Sequence, residues 1–273
     1  MKLLIKCPIC QTNSWQKYSL KLVICNNCSF IRAKDTYFRV NAIKLYGQEY
    51  FNESDYGDYA QEEEALVKNF TDRVRRIRQY KKSGKLLEIG CAYGYFLKLA
   101  QKYYQCSGID LNPEVTKIAQ KTTKAKIITG DFLNLNIPKN SFDIVCMFDT
   151  IEHLKYPAQY LSKISQILKP NGIVVVETGD IGSFLAKIQG NGWRLITPPF
   201  HLQYFSQKTL TRLFENSQLS VIDVNRVSFY RSIRQIIYKL ANNKHVLDSS
   251  HPLLSKTIPI NTYDLLFVVA QKN

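Results

Sequence analysis

The sequence predicts an α/β fold: a doubly wound, mostly parallel sheet preceded by a small cysteine-rich module. Three observations predict it. Five short apolar runs, the first at Leu86–Ile89 and the last at Ile173–Val176, alternate with helical patterns, as βαβ units do. The stretch from Lys85 to Asp110 reads strand, glycine turn, helix, strand. Two Cys-x-x-Cys pairs stand ahead of it.

Cys7-Pro-Ile-Cys10 and Cys25-Asn-Asn-Cys28 are separated by fourteen residues, room for one hairpin from Ser14 to Val23. Each pair can place two thiolates on one tetrahedral metal, and four thiolates leave no position for a reacting water. This is the spacing of a zinc ribbon over residues 1–34. The Zn2+ it predicts is structural, supplying folding energy that about thirty residues cannot draw from their own core.

Residues 35–84 read as a tyrosine-rich linker and a helix. Tyr46, Tyr50, Tyr56 and Tyr59 either cover a pocket or sit half-buried with the hydroxyl in water. Gln61 to Lys82 carries Ala65, Leu66, Phe70, Val74 and Ile77 on one side, and Ser83-Gly84 ends it.

The run Leu86–Ile89 suits a strand buried on both faces. Gly90 and Gly94 bracket a turn where backbone passes close to a ligand. A helix from Tyr95 follows, then a second strand ending at Asp110. An ionised carboxylate there can accept from two adjacent ribose hydroxyls. The frame from Gly90 puts Ala92 and Tyr95 where a dinucleotide site wants glycines, which argues against NAD or FAD.

Asn112-Pro113 starts the next helix, and Ala125 to Thr129 is the third strand. Asp131, just beyond it, either takes an exocyclic amine of adenine, with Phe132 against the ring, or caps the next turn. Phe142 to Phe148 is the fourth strand, Pro157 to Leu168 a helix and Gly172 to Thr178 the fifth strand. Asp110, Asp131 and Asp149 all follow strand ends, where such sheets hold ligands. An insert over about 180–206 is expected over the sheet's reactive edge, where it would shape the substrate pocket; it precedes a helix capped by Ser206, and strands at Val221–Val227 and Leu265–Ala270 close the chain. A helix from Ile233 to Leu240 packs or lies on a membrane surface.

EIGCAYG followed by GID resembles the first two motifs of class I S-adenosylmethionine-dependent methyltransferases. GDF, FDTIEHL, LKPNG and PPFHLQYFS extend the resemblance from Tyr46 to about Val224, and the cysteine-rich start is similar to bacterial members that methylate sugars. The resemblance implies a Rossmann-like methyltransferase domain over residues 85–273, its sheet seven-stranded with the last strand inserted antiparallel. It implies S-adenosyl-L-methionine as cofactor, held by Glu88, Gly90, Cys91, Ala92, Gly94, Asp110, Leu111, Asp131, Phe132 and Met147. Ala92 departs from the usual middle glycine by one methyl.

Transfer to a hydroxyl or carbon acid needs a general base. His201 and His153 are the candidates, with an ordinary pKa near 6.5, and Tyr204 could orient a substrate hydroxyl. Each also fits a packing role.

The chain carries a net charge of +15. Residues 1–34 hold six Lys or Arg and no acid, and 45–67 hold seven acids and no Lys or Arg. Such a surface attracts nucleic acid, anionic lipid or a phosphorylated small molecule without choosing among them. The expected acceptor is a sugar or sugar nucleotide of cell-surface polysaccharide synthesis. The alternative is ribosomal RNA gripped by the basic ribbon, and a third reading is a binding module that transfers nothing. No apolar run approaches the roughly 20 residues of a membrane helix. The start has too short an apolar stretch for a signal peptide. Together these predict a cytoplasmic protein whose seven cysteines are thiols or metal ligands.

Overall fold

The computed structural model describes residues 6–40, 45, 63–241 and 252–273. Tyr46, Tyr50, Tyr56 and Tyr59 lie outside the described residues.

The N-terminal module is a meander. β1 (Trp15–Lys17) pairs antiparallel with β2 (Leu22–Cys25), and β2 with β3 (Ile31–Ala33). Helix α1 (Glu63–Tyr80) buries Ala65, Val74 and Ile77 on one stripe. β4 (Lys85–Ile89) enters the main sheet with four consecutive buried residues, as a strand covered on both faces must. α2 (Tyr95–Ala100), β5 (Gln105–Asp110), α3 (Pro113–Thr122) and β6 (Lys126–Thr129) complete two crossovers. Asn112 caps α3 by accepting the Glu114 N–H at 2.8 Å. β7 (Phe142–Phe148), α4 (Pro157–Ile167) and β8 (Leu168–Gly179) follow. β8 begins directly at the end of α4, so Lys169-Pro170-Asn171 are strand residues rather than a loop.

The insert carries α5 (Phe184–Gln189) and a two-residue strand, β9 (Gln203–Tyr204). α6 (Gln207–Glu215) starts with a capping box between Ser206 and Thr209. The chain ends with β10 (Leu219–Arg226), β11 (Phe229–Ser232), α7 (Ile233–Ala241), α8 (Pro252–Ser255), β12 (Thr257–Ile260) and β13 (Leu265–Lys272). The β11–β12 pair docks on α1, where the Asn69 amide bonds both backbone groups of Tyr230.

The seven-stranded sheet has the order β10-β13-β8-β7-β4-β5-β6. β13 runs antiparallel to both neighbours, and the pairings among β4 to β8 are parallel. The chain leaves β4 for β5 on one side and returns to β7 on the other. The switch point therefore lies between β4 and β7, the crevice where such sheets bind ligands. One face of the sheet packs on α4 and α6, the other on α1, α2 and α3.

A second sheet has the order β1-β2-β3-β9. The cysteine module thus shares a sheet with the insert. A third core joins Leu22, Ile31 and Phe38 to Trp193, Leu202 and Tyr204. No helix among the described residues is long and apolar enough to cross a membrane.

Candidate functional site

The turn after β4 is built on left-handed backbone, with Gly90 at φ 78° and Gly94 at φ 77°. A Cβ on Gly90 would lie 2.5 Å from Thr150 Oγ1, so only glycine lets the β4 and β7 ends approach. Ala92 also adopts positive φ, 42°, a conformation that strains an L side chain. At the tip of β5, Asp110 accepts the Ala92 N–H on Oδ2 and the Asn112 N–H on Oδ1, both at 2.9 Å. Each carboxylate oxygen keeps a second lone-pair site, enough for a vicinal diol. Burial raises the pKa of Asp110, and the backbone donors oppose that rise.

A cavity of about 270 Å³ opens over this turn. Gly90, Ala92, Asp110, Leu111, Asp131, Phe132 and His153 line it. Glu88, Cys91, Gly94 and Met147 are not among the residues that line it. Cys91 fills the gap against Gly108, Gly94 packs on Ala119 and Thr123, and Met147 belongs to the sheet core. Asp131 caps a 3-10 turn by accepting the Leu133 N–H at 3.0 Å and also accepts the Tyr160 hydroxyl at 2.8 Å, both on Oδ1. Capping and facing the cavity are therefore compatible for this residue.

Beneath the crevice, Arg73 of α1 spans the ends of β7 and β8. It donates to Glu177 at 2.5 and 3.1 Å and to Asp149 at 3.0 Å, and lies over the Phe148 ring. Glu88 is buried with Oε2 unpartnered, and burial pushes its pKa up to about 8. Two carboxylates, Glu177 and Asp149, thus share one guanidinium, and the excess of negative charge suits a cationic ligand. With the diol-ready Asp110, this set fits an adenosyl group attached to a sulfonium.

Two histidines meet at the other end. Their ring centroids are 4.8 Å apart and nearly perpendicular. His153 Nδ1 lies 3.0 Å from the Phe200 carbonyl and His201 Nδ1 lies 2.7 Å from that of Leu195, so each Nδ1 carries the proton. Burial lowers the pKa of both rings. Glu152 is buried beside them with Oε2 unpartnered, its pKa pushed by burial up to about 7. His153 lines the cavity, and His201 packs behind it. The Tyr204 hydroxyl donates to the His201 carbonyl at 3.0 Å, which ties the loop rather than reaching the cavity.

Residues 59–224 match the family described as "Methyltransferase domain". This chain belongs to that methyltransferase family. A protein of Mycolicibacterium smegmatis named "Probable S-adenosylmethionine-dependent methyltransferase" is 30% identical over 50% of this chain and 52% of its own length. Norajmaline N-methyltransferase of Rauvolfia serpentina is 32% identical over 35% of this chain and 36% of its own. The chain thus spans about half or less of these relatives. Among solved structures, a SAM-dependent methyltransferase of Thermotoga maritima superposes with TM-score 0.55 at 18% identity, over 83% of this chain and 100% of the other. The [4+2]-cyclase SpnF gives 0.54 at 20% identity, over 74% and 79%. These likenesses show the fold alone, which one scaffold lends to different chemistries. The family's methyl donor is S-adenosylmethionine.

The methyltransferase also carries a second cluster. Cys7 and Cys28 Sγ are 3.4 Å apart, Cys10 and Cys25 3.5 Å, and all four fall within 4.8 Å of one another. A disulfide needs about 2.05 Å. A tetrahedron with metal–sulfur bonds of about 2.3 Å has edges of about 3.8 Å, so the four sulfurs fit one ion. Gln11 and Ser29, each one residue past a pair, share φ 60°, and each pair's turn closes with an N–H···O bond of 3.0 Å. Burial drives the Cys7 thiol pKa far up, a cost that a bound cation offsets.

Pro199 and Leu202 of the insert line the cavity, and Tyr37, Val40, Lys155 and Tyr156 reach it from two further segments that nothing in the sequence marks. Asp149 was recognisable only by its place after β7. The φ of 47° there carries no sequence signal in an Asp.

Proposed function

We propose that this methyltransferase transfers the methyl group to a small hydroxyl-bearing acceptor, most simply a sugar or sugar nucleotide. The observation that carries this reading is the acceptor end of the cavity, where half-buried His153 meets a wall made by Tyr37, Val40, Pro199 and Leu202. When bound, S-adenosylmethionine supplies a methyl on a sulfonium that departs as a neutral thioether. Gly90, Ala92, Asp110 and Leu111 hold and orient it. Glu88, Cys91, Gly94 and Met147 shape that cradle from behind, and Asp131 and Phe132 border the adenine end. His153 accepts the acceptor proton, and its lowered pKa keeps it neutral and ready near pH 7. His201 orders the His153 ring edge-on, and Tyr204 secures the His201 loop. Walls that exclude water favour in-line transfer over side reactions.

The four cysteines hold a structural Zn2+ in a ribbon spanning residues 1–34. Residues 35–84 form the connecting linker and helix, and 85–273 the transferase domain. Reduced Cys91, Cys106 and Cys146 suit a cytoplasmic setting. The net charge of +15 favours a phosphorylated acceptor.

Purified protein incubated with methyl-labelled cofactor and a panel of nucleotide sugars should label at least one of them. Labelling of bulk RNA instead, with salt-sensitive binding, would transfer the assignment to the nucleic-acid class.

A further inference from the structure

The cysteine module does more than terminate the chain. β3 pairs with β9 in the register Ile31↔Tyr204 and Arg32↔Gln203. The Ala33 N–H donates to the Leu202 carbonyl at 2.8 Å, and the Leu202 N–H donates to the Glu152 carbonyl at 2.8 Å. Gln203, 2% exposed, sends Nε2 to the Leu154 carbonyl at 2.9 Å. A continuous path of hydrogen bonds therefore runs from the strand next to Cys28 to the loop bearing Glu152 and His153. Two further contacts reinforce it. Phe30 packs on Phe205 with centroids 5.4 Å apart, and Asn216 donates to the Ile9 carbonyl at 2.7 Å. By contrast, the Asp110 cradle uses only backbone of its own crossover.

We propose that the metal-bound module braces the acceptor end, with Gln203 as a positioning residue for His153. It rests on the reading of His153 as the proton acceptor, but its structural test does not. The prediction is selective. Loss of the metal or of the Gln203 link loosens 152–155 and 199–204 while the cofactor cradle persists, because no bond on the path passes through Asp110.

Two experiments test this on the full-length, metal-loaded protein. The first is amide hydrogen exchange before and after stripping the metal with a chelator. Exchange at Ala33 and Leu202 should accelerate together, at least tenfold, while Ala92 and Asn112 keep their protection. The sequence has two tryptophans, Trp15 in β1 and Trp193 buried in the insert. In W15F, stripping the metal should therefore red-shift Trp193 emission. Unchanged Leu202 exchange and unchanged Trp193 emission would overturn the proposal. So would equal loss of protection at Ala92 and Asn112, which would mean general unfolding.

The second experiment is Gln203→Met with the metal retained, which breaks the link without removing the metal. Leu202 exchange should rise about tenfold. Turnover on whichever nucleotide sugar the panel labels should fall about tenfold, with calorimetric affinity for S-adenosylhomocysteine within twofold of wild type. A fall in that affinity matching the fall in turnover, or no change in either turnover or Leu202 exchange, would refute a positioning role. Failure of the whole panel would refute the sugar reading and leave the exchange result standing as the test of the brace.

Discussion

The two ends of the cavity are made in different ways. The cofactor end comes from one unbroken stretch: β4, its glycine turn, β5 and the 3-10 turn after β6, all between Lys85 and Asn134. The bonds that set Asp110 span 18 residues or fewer, as between Ala92 and Asp110. The acceptor end is drawn from distant places: Tyr37 and Val40 after the cysteine module, His153 after β7, and Pro199 and Leu202 from the insert. Its ties cross 47 residues from His153 to Phe200 and join β3 of the cysteine module to β9 of the insert. A locally encoded cradle can keep one cofactor while the assembled end changes to suit different acceptors.

The sharpest attack on that division is His153→Ala. A positioned proton acceptor contributes about 100-fold or more, so turnover should fall by that much while S-adenosylhomocysteine affinity stays near wild type. Equal loss of affinity would mean that the two ends are not separable. The pH profile adds a sign. The base works only when neutral, and burial lowers its pKa from the ordinary value. The acid limb of turnover should therefore fall below the usual histidine range near pH 6.5, and the ring should add no loss on the alkaline side.

The converse variant is Asp110→Ala. It removes two hydrogen bonds from a charged acceptor to the ligand, each worth about 1.5–3 kcal/mol. Cofactor affinity should drop about 100-fold or more by calorimetry, while Trp193 emission stays in place. Affinity retained at full strength would break the assignment of the cradle.

What the sequence could and could not say follows the same line. The Phe142–Phe148 strand, the Asn112 and Ser206 caps and the four cysteines were legible because their signals are local: apolar run, cap residue and spacing. The pairing of β3 with β9 was not legible. A two-residue strand carries almost no periodicity, and its partner lies more than 170 positions away. The β11–β12 pairing escaped for a related reason, its strands being separated by two helices, α7 and α8. Among site residues, Asp110 could be read from its strand end. Leu202 fell within the insert expected to shape the substrate pocket, whereas Tyr37 could not be read, since nothing in its own neighbourhood marks a cavity wall.

Glu88→Gln tests whether this buried acid of β4 holds its proton in the fold. Glu88 has a folded pKa raised by burial to about 8, against about 4.3 for an exposed Glu. Between those values the folded state holds the proton and the unfolded state does not. Stability is therefore fully present below about pH 4.3 and is lost as pH rises toward about 8. Glutamine cannot ionise. The variant should show a flatter decline in urea-unfolding stability from pH 5 to 8 than wild type. An unchanged slope would mean that Glu88 is ionised in the fold, held so by Arg73.

The smallest expected effect sharpens the picture of the cradle. Ala92 sits at φ 42°, where an L residue costs about 1–2 kcal/mol. Glycine would relieve that strain but lose about 0.5–1 kcal/mol through the greater freedom of its unfolded chain. Ala92→Gly should therefore stabilise by about 0.5 kcal/mol, a rise in melting temperature of about 1–2 °C. Asp110 accepts from the backbone N–H of residue 92, so the bond that shapes the cradle survives the change, and cofactor affinity should hold or improve slightly. A lower melting temperature with weaker cofactor binding would show that the alanine methyl packs productively in the turn. In that case the side chain would be part of how the locally encoded end holds its ligand.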